Sequence, residues 1–295
     1  MPSPRIALAT SAELPDLDGD SRLLLPSLER AGIASTCLVW DDPAARWEEM
    51  DMVLVRSTWD YWNGAGRRDA FVAWAERVGA KVPFWNAPEV IRWNTEKSYL
   101  RDLEARGAPV VPTLWLGPEE RAANVLARGL DEGWSEVVIK PAVSAGSEGA
   151  LRIDLTRDRA GAEAHAEALA PRGVVMVQPF LRSIAQEGEL SIIFFEGEAI
   201  HAVRKVPRSG DYRSQPEFGS VVGRAEVTDE ARRVAESVLT IAESSFLYAR
   251  VDLVRGLDGA LRLIELEVTE PCLYLGWEEG AADRLAAAIA RRLRG

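Results

Sequence analysis

The 295-residue chain has only two cysteines, Cys37 and Cys272, and only two histidines, His165 and His201. Two thiols are too few for a disulfide scaffold or a thiolate zinc site. Positive charge is also in deficit: 35 Lys and Arg against 46 Asp and Glu leave a formal net charge of −11. A phosphate-backbone binder needs clustered positive charge, so no nucleic-acid partner is expected, and no basic patch for anionic membranes. No apolar run approaches the ~20 residues that span a bilayer. The opening MPSPRIALATSAELPD lacks the apolar stretch of a secretory leader. The expectation is a soluble, cytoplasmic protein whose 47% hydrophobic residues build a sizeable core. At this length, two or three compact units share the chain.

What is present begins as alternating strand and helix. Arg5–Thr10, Thr36–Trp40 and Met52–Val55 are short apolar runs, and Ser21–Gly32 spaces its leucines helically and stops on Gly. That is a small α/β unit with a parallel sheet, whose ligands sit beyond the C-terminal strand ends. The rule puts Arg56, Ser57, Thr58 and Asp60 on a ligand-facing rim; the alternative for VRSTWDYW is a packed aromatic loop of Trp59, Tyr61 and Trp62. Asn94–Arg106 reads as a helix with Asn94 or Thr95 as N-cap. Strands at Val110–Leu116, Val137–Pro141 and Val174–Leu181, with a helix at Gly161–Ala170, form a smaller α+β unit. Two ribbons follow, Leu190–Phe195 with Ala199–Lys205 and Leu247–Val254 with Leu261–Val268. Helices at Thr228–Ala242 and Ala281–Leu293 pack on them.

Turn chemistry sets the pairing in each ribbon. With Asp258-Gly259 central in the second turn, Asp252 falls opposite Glu265 and Arg250 opposite Glu267, all on one face. Val251, Leu253, Ile264 and Leu266 then point into the core. Like charges directly opposed are unfavourable. A divalent cation removes the conflict, since Mg²⁺ favours a few carboxylates plus nucleotide phosphates; on a solvated face the charges are merely wet. Thr269 shares the parity of the acids. In the first ribbon, a turn at Glu196-Gly197 sets Glu189 against Arg204, either an exposed ion pair or a functional acid. Arg204 and Lys205 are candidate partners for a second substrate carboxylate.

Lys140 ends a strand that runs into a Ser/Gly loop, AVSAGSEGA, and then the strand Leu151–Ile153. Small residues with free N–H groups can close over phosphates, with Lys140 as a point charge. An ordinary turn has the same composition. It is not the GxxxxGK[ST] loop, because no Lys-Ser/Thr follows Gly149 and no helix opens there. Ser144 nearly matches a nucleophile elbow, but the elbow needs a helix directly after the serine, and only His165 and His201 could act as base. A serine hydrolase is the weaker alternative. An EF-hand at 16–27 fails, because Ser21 and Ser27 stand where Gly and Glu are required.

The order Asn94-Thr95-Glu96-Lys97, VVIKPAVSAGSEGA, MVQPFL, EGELSIIFF, ARVDLV and IELEVTEP resembles the ATP-grasp superfamily over roughly residues 90–280. The closest likeness is to the glutathione-synthetase and RimK-like ligases. Within them, VRSTWDYW, PTLW, KPAVSAGS and GELSIIFF resemble the D-cycloserine synthetases. The resemblance implies an α/β plus α+β ATP-grasp fold: a parallel α/β domain at 1–95, a small central lobe at 96–184 and a C-terminal lobe with a metal site at 185–295. ATP would lie between the lobes with Mg²⁺, two ions by implication and Mn²⁺ as substitute.

By the same resemblance, Lys97 and Lys140 contact the phosphates, and Ser144, Gly146, Ser147 and Gly149 belong to a mobile loop over them. Gln178, Pro179, Phe180 and Leu181 line the adenine hinge, and Glu189 holds the ribose. Asp252 and Glu267 are the Mg²⁺ ligands, with Glu265 as helper and Thr269 where the superfamily usually has Asn. Arg250 steadies the oxyanion. The implied catalytic set is Arg250 and Lys140, to which the sequence reading adds Arg204, and Lys205 stands on the substrate side with the 56–60 rim. The implied enzyme is an ATP-dependent ligase that activates the carboxylate of a small amino-acid-like substrate as an acyl phosphate for a nitrogen nucleophile. Its narrowest version is ring closure of O-ureido-D-serine to D-cycloserine. An intermolecular carboxylate–amine ligase and a non-catalytic nucleotide-binding module are the alternatives, and homo-oligomerisation stays open.

Overall fold

The structure, a computed structural model, describes residues 3–208, 211, 213 and 219–294. Strands β1 (Arg5–Thr10), β2 (Ala34–Val39), β3 (Met52–Ser57) and β4 (Phe84–Trp85) form a parallel sheet in the order β2-β1-β3-β4. Alternate side chains serve opposite faces, as the strand period demands. Ile6, Leu8, Met52 and Leu54 pack with Leu24 and Leu28 of helix α1 (Leu24–Arg30). Ala7, Ala9, Val53 and Val55 pack with Phe71 and Trp74 of α2 (Arg67–Gly79).

The helix expected over Asn94–Arg106 is two helices, α3 (Pro88–Asn94) and α4 (Tyr99–Ala105). Asn94 caps nothing, because its amide is spent elsewhere: Nδ2 donates to the Leu266 carbonyl at 2.8 Å and Oδ1 accepts from Val268 N at 3.0 Å. In the break, Lys97 N donates to the Ala142 carbonyl at 2.9 Å.

The central sheet is antiparallel, β5 (Leu114–Leu116), β6 (Glu136–Pro141), β7 (Leu151–Asp154) and β8 (Val175–Pro179) in the order β5-β8-β6-β7. Helices α5 (Ala122–Asp131) and α6 (Arg159–Leu169) cover it through Val125, Leu126, Ala162 and Ala166. The strand expected from Val110 is shorter than the apolar run. Val110 and Val111 turn away to bond the backbone of Leu263, with Val111 N to its carbonyl at 2.9 Å.

After α7 (Arg182–Glu187) comes a five-stranded antiparallel sheet of β9 (Glu189–Phe195), β10 (Glu198–Val206), β11 (Val221–Ala225), β12 (Tyr248–Arg255) and β13 (Leu261–Glu267). Its order is β11-β10-β9-β12-β13. Helix α8 (Asp229–Ile241) packs on Leu190, Ile192 and Leu253, and α9 (Ala281–Arg294) on Ile193 and Phe195. Thr228 caps α8 by accepting from Ala231 N.

Both hairpins carry a bulge, and the two bulges have opposite consequences for the expected register. In β12–β13 the turn is one residue longer than assumed, with Gly256 N bonding the Ala260 carbonyl. A bulge at Ile264 takes the extra residue back, so Asp252 does pair with Glu265 and Arg250 with Glu267. Ile264 is displaced from its expected core position and lines a cleft instead. In β9–β10 the turn is as assumed, but a bulge near Ile200 shifts everything beyond it. Glu189 therefore faces Lys205, not Arg204.

The parallel sheet is tied to this ribbon. The Tyr248 hydroxyl lies 2.8 Å from the Val55 carbonyl and 3.1 Å from that of Thr269. Asn86 Nδ2 donates to the carbonyls of Tyr248 and Val268, and its Oδ1 accepts from Leu247 N. Among the described residues no helix is long and apolar enough to cross a membrane.

Candidate active site

The central and five-stranded sheets, with the segment after β3, line a cleft of about 500 Å³ that runs from Trp59 to Tyr274 in sequence. β12 and β13 bring Asp252, Glu265 and Glu267 together, with one oxygen of each within 4.8 Å of the others; Glu265 and Glu267 line the cleft, and Asp252 is fully buried outside the lining. Arg250 lies among them. Its Nε is 2.9 Å from Asp252 Oδ1, its Nη2 is 2.8 Å from Oδ2, and Nη2 also pairs with Glu267. Lys205 pairs with Glu189 and reaches Asp252 at 3.4 Å. From the other side, Lys97 Nζ stands 3.1 Å from Glu265 and 2.9 Å from the Ser144 carbonyl. Lys140, at the end of β6, lines the same space.

Burial works against the charged forms of Asp252, Glu265, Glu267 and Lys140, and the neighbours decide the outcome. Against its burial, Arg250 and Lys205 hold the Asp252 carboxyl well below the usual range. Lys97 and Lys140 do the same, more weakly, for Glu265. Glu267 is pushed up to about 7, because burial and the negative Glu265 and Asp252 outweigh Arg250. Burial pushes Lys140 down to about 8, and Lys97 adds to the effect. Arg250 thus compensates the third carboxylate only in part. Three hard oxygen donors with incompletely balanced charge fit a divalent cation such as Mg²⁺ and not a soft one. Cys272 also lines the cleft, but burial pushes its thiol up to about 12, which keeps it protonated.

Most residues named from the sequence converge here. Lys97, Lys140, Ser144, Gly146 and Ser147 line the cleft, as do Gln178, Pro179, Phe180, Leu181 and Glu189. Arg250, Lys205, Glu265 and Glu267 do too. Gly149 stands outside it. Its φ of +73° and a Cβ position 3.2 Å from the Pro141 ring make it a backbone pivot, with its carbonyl 2.9 Å from His165 Nε2.

Several expectations need correction. Arg204 is on the far face of β10, donating to the Glu187 carbonyl at 2.9 Å, because the bulge assigns its neighbour to the cleft. Thr269 is buried outside the cleft lining and donates to Asn94 Oδ1 at 3.2 Å. The 56–60 rim is inverted: Arg56, Ser57, Thr58 and Asp60 are all buried and outside the cleft lining. Arg56 donates to the Pro271 carbonyl and Ser21, Ser57 donates to Asp18, and Asp60 accepts from Trp40 and pairs with Arg67. The aromatic residues of the same segment, Trp59, Tyr61 and Trp62, line the cleft instead. No helix follows Ser144, which leads through a loop into β7, and His201 is buried against the Tyr274 carbonyl. The elbow geometry is absent.

Sequence reasoning missed Asn94 and Glu270. Glu270 lines the cleft and is pushed up to about 8 by burial and by Glu267. It breaks the two-residue parity of Glu265 and Glu267 because β13 ends at Glu267 and the chain then leaves the ladder.

Comparison with known proteins accords with this geometry. The family described as the N-terminal domain of D-cycloserine synthetase DcsG matches residues 6–86, and the prokaryotic glutathione synthetase ATP-grasp domain matches 122–276. The cycloserine biosynthesis protein DcsG of Streptomyces lavendulae is 30% identical over 301 residues, covering 98% of this chain and 99% of that one. The crystal structure of D-cycloserine synthetase DcsG matches with a TM-score of 0.87 over 98% and 99% of the two chains. A glutathione synthetase of Prochlorococcus marinus strain MIT 9313 is 31% identical over 208 residues, 67% of this chain but only 59% of that enzyme. ATP-grasp enzymes work with ATP and Mg²⁺, which the oxygen-donor trio and its flanking lysines suit. The chain belongs to the ATP-grasp family, in the group of D-cycloserine synthetase DcsG, and is a ligase that forms C–N bonds.

Proposed function

We propose that this cleft activates the carboxylate of a small amino-acid-like substrate. The carboxylate oxygen attacks the γ-phosphorus of ATP, ADP leaves, and an acyl phosphate results. A nitrogen nucleophile then adds to the carbonyl, phosphate leaves, and the nitrogen gives up its proton. In the narrowest form the nitrogen belongs to the same molecule and closes a ring, as from O-ureido-D-serine to D-cycloserine. The observation that carries this reading is the trio Asp252, Glu265 and Glu267 within 4.8 Å, faced by Lys97, Lys140, Lys205 and Arg250.

The approach of two anions is opposed by Coulomb repulsion, so the residues act mainly by placing charge. Lys97 and Lys140 bind the phosphates, and the Ser144–Gly149 loop, held through the Ser144 carbonyl by Lys97, excludes water from the acyl phosphate. Gln178 to Leu181 receive adenine, and Glu189 the ribose. Asp252, Glu265 and Glu267 would hold Mg²⁺, two ions or Mn²⁺ in their place. Bound there, the metal supplies charge neutralisation at the phosphates. Arg250 orients the acids and faces the carbonyl oxygen that develops charge. We further propose three units, 1–95, 96–184 and 185–295, in a cytoplasmic enzyme.

A phosphate-release screen with MgATP over amino acids, ureido amino acids and dipeptides tests the reading. Release that depends on one such carboxylate is expected. If a single substrate suffices, ring closure stands; a requirement for a second amine makes the reaction intermolecular. No release across the panel would leave a nucleotide-binding module without catalysis.

A further inference from the structure

Glu270 takes no part in the carboxylate trio, yet it lines the cleft. Its backbone is fixed: Trp59 Nε1 donates to the Glu270 carbonyl at 2.9 Å. Tyr61 lies close enough to act on its carboxyl, while Oε2 is buried with no hydrogen-bond partner among the described residues. The positive charge that acts on it, Lys97, is already paired with Glu265. Trp59, Tyr61 and Trp62 line the same cleft.

A carboxyl short of partners beside aromatic rings is a poor neighbour for a triphosphate. It suits a cation, which a carboxylate neutralises and a ring face attracts. The adenine and phosphate positions proposed above already use Gln178 to Leu181, Lys97 and Lys140, and Glu270, next to Glu267 and beside the aromatic rings, is left to the other substrate. We propose that Glu270, with Trp59 and Tyr61, forms the subsite that binds the ammonium group of the substrate and so selects carboxylates that carry an amine. This deepens the ligase reading and rests on it.

The test uses matched carboxylates that differ only in the amine: D-serine with D-glycerate, D-alanine with propionate, and O-ureido-D-serine with its deamino counterpart. Phosphate release with MgATP is measured for each pair with the wild type and with Glu270→Gln. The wild type should show a KM at least about tenfold lower for the amine-bearing member. Glu270→Gln should raise that KM about 10- to 100-fold, the loss expected for a hydrogen bond to a charged group. It should leave kcat within a few-fold, and leave both the KM of the deamino member and the Mg²⁺-dependent affinity for ADP unchanged. Equal shifts for both members overturn the assignment by showing a merely structural role. A fall in ADP affinity overturns it by placing Glu270 with the metal acids. If Glu270→Gln does not fold, equal wild-type KM values within each pair overturn it alone. Absence of release from every pair overturns the ligase reading together with it.

Discussion

Lys205 stands opposite Glu189 across the β9–β10 ladder and reaches Asp252 on β12 at 3.4 Å, so one ammonium serves acids on two strands. Burial opposes its charge, but Asp252 and Glu189 raise its pKa above the ordinary lysine value. Lys205→Met leaves buried Glu189 without its cation and Asp252 with Arg250 alone, and should destabilise the fold by about 3–5 kcal/mol. Arg204→Ala, one residue away on the other face, should change stability by less than about 1 kcal/mol. Urea denaturation of the two variants reads the difference, and equal losses would refute the bulged register.

Glu267→Gln should lower turnover about 10²–10³-fold, the range for losing one preorganised charge contact in a site of this kind. Because Glu267 carries its charge poorly, this variant should stay as stable as the wild type. Asp252→Asn should cost similar activity and stability as well, since Arg250 and Lys205 lose their shared counter-ion. Phosphate release and thermal melting, measured side by side, separate the two.

The raised pKa of Glu267 also has a pH signature. Its folded value of about 7 lies above that of an unfolded glutamate, so the folded state holds the extra proton between roughly pH 4.5 and 7. Its contribution to stability is present below that window and is lost as pH rises through it. Melting temperature in EDTA should therefore fall across pH 5–7, and Glu267→Gln should flatten the slope. An unchanged slope in the variant removes Glu267 as the source.

Lys140 titrates in the other sense. With its pKa lowered to about 8 it is charged below that pH and neutral above it. Affinity for ATP should be steady up to about pH 8 and weaken towards pH 9. Lys140→Ala should show the weaker affinity throughout and no break near pH 8; calorimetric titration across this range decides.

Gly149 holds a left-handed φ of +73° with Pro141 beside its empty side-chain position. Gly149→Ala should cost about 1–2 kcal/mol from the conformation alone. A chemical denaturation curve for Gly149→Ala that overlays the wild type would show that the loop takes up the strain freely.

Much of the site was legible because charge and ladder parity coincide. Arg250, Asp252, Glu265 and Glu267 share one face of a ribbon whose turn can be read from Asp258-Gly259, and the errors in turn length and bulge cancelled. The same arithmetic failed for Glu189 because the bulge near Ile200 has no counterpart in the turn to offset it. Nothing in local composition marks such a bulge. The VRSTWDYW segment failed for another reason. Polarity predicts the cleft only when polar groups lack other partners, and Ser57 and Asp60 find theirs in Asp18, Trp40 and Arg67, outside the segment. The indole and phenol rings line the cleft in their place. Glu270 was hidden by the end of β13, where period-two reasoning stops.

The ties that Tyr248 and Asn86 make between the parallel sheet, β12 and the segment after β13 have a mechanical consequence. They join the segment that carries the aromatic residues to the ribbon that carries the acids. The β5–β8 sheet reaches the ribbon edge at Leu263 through the backbone of Pro109–Val111. The chain entering the central sheet is thus pinned to the acid-bearing ribbon by two backbone hydrogen bonds, Val111 N to the Leu263 carbonyl and Leu263 N to the Pro109 carbonyl.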